Sequence, residues 1–412
     1  MPTTRFHFIH AADLHLGSPL TGLGGRDADL ARRLGTAGRQ AFEDLVSLAL
    51  DRAAAFVVVA GDVYDGDWAD NTIGLFFARQ VARLDRAGIP LVMVRGNHDA
   101  ESVITRSVTL PGSVRVFSAA RAETHRIEAC RVALHGRSFA SRAVTENLAL
   151  TYPAAVPGWF NVGVLHTACT GHAAHETYAP CSLADLRARG YEYWALGHVH
   201  EYAELSRDPW IVFPGNLQGR SVRECGPRGA VLVEVADGRV AGVDRLVLDR
   251  ARFHRLGVDL TGAADLRAAL CAVEAALRPL ADTAAARLVL VRVHLSGTSA
   301  AHDRLCADRE SLTAEIQAAA HRIHEDIWLE RLRIETRRPP AAEGAPAAAI
   351  DPSALLAEID RDPDFRARAI AALGEVGARM PVIEDADLAG EFEALCAEAE
   401  ALVLGRLSGR RC

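Results

Sequence analysis

The chain has 412 residues, 50% of them hydrophobic and 24% charged, a composition that suits two or three globular domains and excludes disordered, collagen-like and fibrous classes. Its 46 basic residues are all arginine, which removes the phosphate-binding lysine of a Walker motif and every lysine Schiff base. The net charge is −7, and residues 351–412 hold 13 acidic against 7 basic side chains, so the rest is nearly neutral and a nucleic acid would have to be held by a local arginine patch or a bound metal.

The longest apolar runs, such as residues 56–60, fall far short of the ~20 residues that cross a bilayer, and the first ten residues lack a signal-peptide core; a cytoplasmic protein without membrane contact is expected. Eight cysteines are scattered without a CxxC pair, which favours free thiols over a disulfide framework or structural zinc. Short β-type runs alternate with amphipathic stretches through the first 250 residues, the pattern of a layered α/β domain. Strands are expected at 5–10, 56–60, 90–94, 113–117, 131–135, 161–166, 192–196, 210–213 and 229–235. Helices are expected at 36–54, 71–87 and 182–189, the last opened by Ser182 as N-cap. The strands within 202–249 follow one another without helices, so the sheet is expected to turn antiparallel there.

From residue 253 the rhythm becomes strand (253–260), helix (263–280), strand (287–295), helix (300–323) and strand (328–336), a small separate α/β domain. The organisation expected is therefore 1–250, 251–336, a Pro- and Ala-rich linker at 337–350 and an acidic helical segment at 351–412. Leu388, Phe392, Leu395 and Leu402 fall near one stripe of a helix over 387–404, enough to dock on a partner but not to form a core alone.

Five short motifs close predicted strands, where open α/β sheets place their sites. DLHLG supplies Asp13 and His15, GDVYD supplies Asp62, GNHD supplies Asn97 and His98, VLHTA supplies His166, and GHVH supplies His198 and His200. Carboxylates, imidazoles and one amide oxygen form a mixed set suited to Mn, Fe or Zn rather than Ca or Mg. The donors are too many for one ion; two ions sharing a carboxylate would use them and clamp both the attacking and leaving oxygens of a phosphoryl displacement. In an extended DxH, alternate side chains share a face, so Asp13 with His15, and His198 with His200, can grasp one ion. Glycines before Asp62, Asn97 and His198 permit sharp turns.

This ordered set resembles the signature of the calcineurin-like metallophosphoesterases: DxH, GDxxD, GNHD, H and GHxH. The resemblance implies a four-layer α/β/β/α sandwich with a small α/β capping domain and a helical C-terminal tail. It implies one ion on Asp13, His15, Asp62 and His200 and another on Asp62, Asn97, His166 and His198, most simply two Mn2+, with Asp62 bridging. His98 would stand over the site to stabilise or protonate the leaving oxygen, with Asp99 orienting it. The Leu-Gly of DLHLG, the stretch HETYAPCSLADL leading to YEYWALGHVH, and PGNLQGRSVRECGPRGAVLVEV are similar to the SbcD/YhaO-like DNA repair exonucleases. That resemblance implies DNA as substrate, a homodimer, and attachment of residues 351–412 to the coiled coil of an SbcC- or YhaN-like ATPase.

Arg220, Arg223 and Arg228 follow in a Gly-rich loop as candidate phosphate contacts, with a solvated surface loop as the alternative. Tyr64 and Trp68 are candidates to stack on a base or cap the pocket, with ordinary packing as the alternative. His172 and His175 read first as loop or packing residues, as does His135. The helix over 71–87, with Ile73, Leu75, Phe76, Phe77, Val81 and Leu84, has more apolar surface than one sheet contact needs, through dimer pairing or full burial. Three functions follow: a dimetal DNA phosphodiesterase working as an exonuclease; the same chemistry on nucleotides or other small phosphoesters, which a second domain and a tail disfavour; and an assembly subunit that positions DNA, which the intact donor set disfavours.

Overall fold

A computed structural model describes residues 5–18, 27–65, 71–100, 110–169, 178–339 and 352–378, with seven further positions between 392 and 404. The chain divides into two compact units, residues 1–254 with 286–289, and residues 255–285 with 290–412.

The first unit holds two six-stranded sheets. One is ordered β12-β11-β1-β2-β3-β4, the other β5-β6-β7-β8-β10-β9. In the first, β1 (Arg5–Ala11), β2 (Val57–Ala60), β3 (Leu91–Val94) and β4 (Val114–Val116) run parallel. β11 (Gly229–Ala236) and β12 (Arg239–Val247) join antiparallel on the far side of β1. In the second, β6 (Val132–Gly136), β7 (Phe160–His166), β8 (Tyr193–Gly197) and β10 (Trp210–Phe213) are parallel, flanked by antiparallel β5 (Glu123–Ile127) and β9 (Ala203–Arg207). The expected run of antiparallel strands over 202–249 is thus split: β9 and β10 extend one sheet, β11 and β12 the other.

Strands covered on both faces read as continuous apolar runs, and period-two alternation sorts each residue to one face. Val58 and Ala60 face the second sheet with Phe8, Phe56, Phe160, Val162, Tyr193 and Val231. Val57 and Val59 face α1 (Ala28–Asp51) and α2 (Asn71–Arg86), with Ile9, Leu45, Phe77 and Leu91. Phe8 stacks on Phe56 with centroids 4.6 Å apart and meets Tyr193 edge-on at 5.4 Å, fixing the inter-sheet core. Four layers result, and the outer layer on the second sheet is thin: a 3₁₀ turn (Leu148–Thr151) and α3 (Leu183–Arg187) over Leu165, Trp194 and Phe213. Ser182 caps α3 through a reciprocal capping box with Asp185.

Helix α1 starts eight residues before the expected position. Asp27 caps it by accepting from the Leu30 N–H at 2.8 Å, and Leu30, Leu34, Ala37, Ala41 and Leu45 carry one buried stripe through Gly35 and Gly38. Of the apolar residues on α2, Ile73, Phe77, Val81 and Leu84 are buried, while Leu75 is 65% exposed.

The second unit is built on the sheet β13-β14-β15, of Ala251–Asp259, Leu288–Thr298 and Ile327–Arg337. Helices α4 (Leu266–Leu277) and Arg309–Ile323 bury Ala269, Val273, Leu277, Leu312 and Ile316. The helix expected over 300–323 is broken into His302–Ala307 and Arg309–Ile323, because Asp308 leaves helical geometry to cap the second piece. Beyond residue 339 come helices Pro352–Arg361 and Pro363–Ala378. Of the stripe expected over 387–404, Phe392 is buried beneath the Arg366 guanidinium, 5.1 Å from its ring, and Leu395 is half-buried; Leu388 and Leu402 lie outside the described residues. Among the described residues no helix is long and apolar enough to cross a membrane.

Candidate metal centre

The C-terminal ends of β1, β2, β3, β7 and β8 open onto one edge of the two sheets, and the motif residues lie at these ends or just beyond them. The loops are sewn together by main-chain bonds: Asp13 N–H donates to Gly61 O and His15 N–H to Asp62 O, both at 3.0 Å. Asp13, His15, Asp62 and His198 all adopt positive φ, at 51°, 43°, 53° and 100°. Four non-glycine residues in this sparsely populated region at one spot mark stored backbone strain. The expectation of an extended DxH is therefore corrected: left-handed turns, not strand alternation, bring Asp13 and His15 to one side. The expectation for the glycines is corrected likewise. Gly61 does take a positive φ of 97°, but Gly96 and Gly197 are needed for space, since a Cβ would lie 2.2 Å from Asp62 Oδ1 at the first and 2.0 Å from Ala60 O at the second.

The structure brings the seven expected donors together. Asp13 accepts the His198 N–H on both oxygens, at 3.1 and 3.0 Å. Asp62 accepts the His98 N–H on Oδ1 at 3.0 Å and turns Oδ2 toward His166 Nε2 at 3.4 Å and His15 Nε2 at 4.0 Å. His166 Nε2 also lies 3.0 Å from Asn97 Oδ1, and the His198 ring stands beside His166 with centroids 5.2 Å apart. Ligand atoms of Asp13, His15 and His200, and those of Asp13, Asp62 and His166, converge within 4.8 Å.

The protonation pattern tests whether this set fits cations. His166 Nδ1 donates to the Ala60 carbonyl at 2.9 Å, so in the neutral ring Nε2 offers a lone pair to two oxygens that can only accept. Burial lowers the His166 pKa, yet the charges of Asp62 and Asp13 outweigh it and push the value up to about 9. The carboxylates of Asp62 and Asp13 thus favour positive charge at this spot. Burial brings His15 down to about 4, a neutral ring, and its Nε2 lies 3.2 Å from His200 Nε2. Converging acceptors of this kind repel unless a proton or cation stands among them. The donors fit divalent cations, and two of the imidazoles are held from behind, His166 by the Ala60 carbonyl and His200 by Glu224.

His98 behaves differently. Its Nδ1 lies 3.1 Å from Asp65 Oδ1, and this hydrogen bond, against opposing burial, raises its pKa. Asp65, the second acid of GDVYD, escaped the sequence reading although the spacing offered it. The expectation that Asp99 orients His98 is corrected: Asp99 accepts from the N–H groups of Gly96, Val63 and Tyr64 at 3.0–3.2 Å and ties the second and third motif loops together. Glu224 was also missed; it takes His200 Nδ1 at 2.7 Å.

The expected substrate contacts fare differently. Tyr64 is 4% exposed and meets Phe77 edge-on at 5.7 Å, a core residue rather than a base platform. Arg228 is buried, donating to the carbonyls of His200 and Cys225, so it holds the GHVH loop rather than a phosphate. Arg220 is engaged by Glu224 and Asp65. Arg223 alone of the three is exposed. His135 is stacked on Tyr191 at 4.3 Å and bonded to Asn161 and Thr124, a packing residue as expected. Trp68, His172 and His175 lie outside the described residues.

Comparison with known proteins agrees with this geometry. Residues 6–202 match the calcineurin-like phosphoesterase family and residues 253–337 the middle domain of metallophosphoesterase YhaO. The chain is 32% identical over 340 residues to an uncharacterised metallophosphoesterase YhaO of Bacillus subtilis, covering 81% of this chain and 82% of that one. It is 30% identical over 257 residues to the DNA double-strand break repair protein Mre11 of Haloferax volcanii (62% and 55% covered), and 28% identical over 215 residues to that of Methanopyrus kandleri (46% and 44% covered).

Proposed function

Since this chain belongs to the calcineurin-like metallophosphoesterases, hydrolases of phosphoester bonds, and stands with YhaO among them, we propose that it is a two-metal phosphodiesterase acting on DNA from its ends. Asp13, His15, Asp62 and His200 would hold one ion and Asp62, Asn97, His166 and His198 the other, with Mn2+ the best match to the mixed donor set. The observation that carries the reading is the convergence of acceptor atoms, His15 Nε2 on His200 Nε2 at 3.2 Å and His166 Nε2 on Asn97 Oδ1 at 3.0 Å, around carboxylates of one sign. Bound there, two divalent cations would lower the pKa of a water and offset charge on the phosphate. The chain's own part is positioning and proton transfer: His98, whose pKa the hydrogen bond to Asp65 raises, would deliver a proton to the departing oxygen.

DNA as substrate is supported by the Mre11 relatives, which are named as DNA double-strand break repair proteins. Attachment of residues 351–412 to a coiled-coil ATPase is supported by exposed Leu355, Ile359 and Ile370 on the two tail helices, and homodimer formation by exposed Leu75 on α2. The test sets linear double-stranded DNA, circular single-stranded DNA and a chromogenic phosphodiester side by side with Mn2+. Loss of the linear duplex from its ends is the expected result. Hydrolysis of the small diester with both DNAs intact would move the reading to small phosphoesters.

A further inference from the structure

Arg220 and Glu224 belong to none of the five motifs, yet they touch the centre from two directions. Glu224 Oε1 lies 2.7 Å from His200 Nδ1 and 3.0 Å from Arg220 Nη2. Its Oε2 accepts the Arg220 N–H at 2.7 Å and the Asn216 amide at 2.9 Å. Arg220 Nη1 reaches Asp65 Oδ2 at 3.5 Å, and Asp65 Oδ1 holds His98. Both side chains are largely buried, Glu224 13% and Arg220 24% exposed.

We infer that Arg220 and Glu224 form a brace that sets two imidazoles of the centre together: Glu224 fixes the tautomer of His200, and Arg220 ties Glu224 to the carboxylate that holds His98. The inference rests on the two-cation reading above and assigns both residues as positioning groups.

The tautomer follows from donor counting. His200 Nδ1 stands between a carboxylate, which only accepts, and a guanidinium, which only donates at 3.2 Å. The contact to Glu224 is the shorter, and it is a hydrogen bond only if Nδ1 carries the proton. Arg220 then spends its Nη2 proton on Oε1, and His200 Nε2 is left as a lone pair facing the cluster. Both Glu224 oxygens receive N–H donors, which leaves the carboxylate no need of a proton of its own. Such a carboxylate behind a ligating histidine raises its basicity and holds its plane. On the other side, Arg220 directs its side-chain nitrogens at two carboxylates. Its charge is already matched, which disfavours the role of a phosphate clamp, and its planar fork spans the two acids as an ammonium could not.

The test uses the full chain stripped of metal, with Glu224→Ala, Glu224→Gln, Arg220→Ala and Arg220→Lys. Manganese binding is followed by calorimetry, hydrolysis of a chromogenic phosphodiester by steady-state kinetics, and folding by the metal-free unfolding midpoint. Glu224→Ala is expected to weaken one of two manganese steps by about 10–100-fold and leave the other in place; Glu224→Gln, which preserves shape and an acceptor, falls between it and wild type and carries the comparison should the alanine variant lose its midpoint. Arg220→Ala is expected to lower kcat with KM unchanged, and Arg220→Lys to recover part of the loss. Two manganese steps at wild-type strength in Glu224→Ala would overturn the brace, as would an Arg220→Ala variant whose KM rises while kcat holds, the mark of a phosphate contact. A wild-type chain that takes up no manganese would instead overturn the two-cation reading on which the brace depends.

Discussion

Replacing Gly96 with alanine presses one methyl group against the carboxylate that both proposed ion sites share. The added Cβ would lie 2.2 Å from Asp62 Oδ1 and 2.9 Å from Asp62 Cγ and N. The carboxylate must retreat by about 1 Å or more to reach ordinary contact distance, and the main-chain nitrogen cannot follow, because the Asp62 carbonyl is bonded to His15 N–H. The retreat also takes Oδ1 from the His98 N–H that it now accepts at 3.0 Å. A misplacement of about 1 Å at reacting groups costs on the order of 100-fold in rate, and overpacking costs about 1–3 kcal/mol of stability. Initial rates on a chromogenic phosphodiester at saturating Mn2+, with urea unfolding of the metal-free chain, separate the two effects. Gly374→Ala, where a Cβ meets nothing within 4 Å, is the control and leaves the rate at wild-type level. A Gly96→Ala enzyme with wild-type kcat/KM would refute the reasoning, because Asp62 would then be free of the geometry assigned to it.

Asp65→Asn removes the hydrogen-bonded charge that raises the His98 pKa, and kcat is expected to fall about 10²–10⁴-fold while manganese still binds; an unchanged kcat would exclude His98 as the acid. Tyr64→Ala opens a void beside Phe77 and is expected to cost about 3–5 kcal/mol in urea unfolding, as large aromatic deletions do, whereas a rise in KM for DNA at full stability would restore the base-stacking role. Manganese at 100 times its Kd should stabilise the fold by about 2.7 kcal/mol, reversibly with chelator, and a Tm indifferent to both would count against the converging acceptors as ligands.

The amino-acid order alone determined the strand ends and the donor types. Val57, Val58 and Val59 are buried on both faces wherever they sit in a covered parallel sheet, and Asp13, Asp62, Asn97 and His166 have few structural uses directly after such strands. Local chemistry suffices for this, because period-two burial and metal preference are properties of neighbouring residues. Tertiary structure decided which strands share a sheet: 202–249 reads as one antiparallel run, yet β9 with β10 and β11 with β12 go to opposite sheets. It also decided which carboxylate serves which histidine. Asp99 adjoins His98 in sequence, but its oxygens are consumed by three loop amides, and the partner is Asp65, 33 positions away. Glu224 reaches His200 across a loop closed by Arg228, and Tyr64 points inward although it flanks the site. Hydrogen-bond partners are chosen by the direction in which a folded loop aims each side chain, and in this centre those directions come from left-handed turns that only the meeting of the two sheets holds in place.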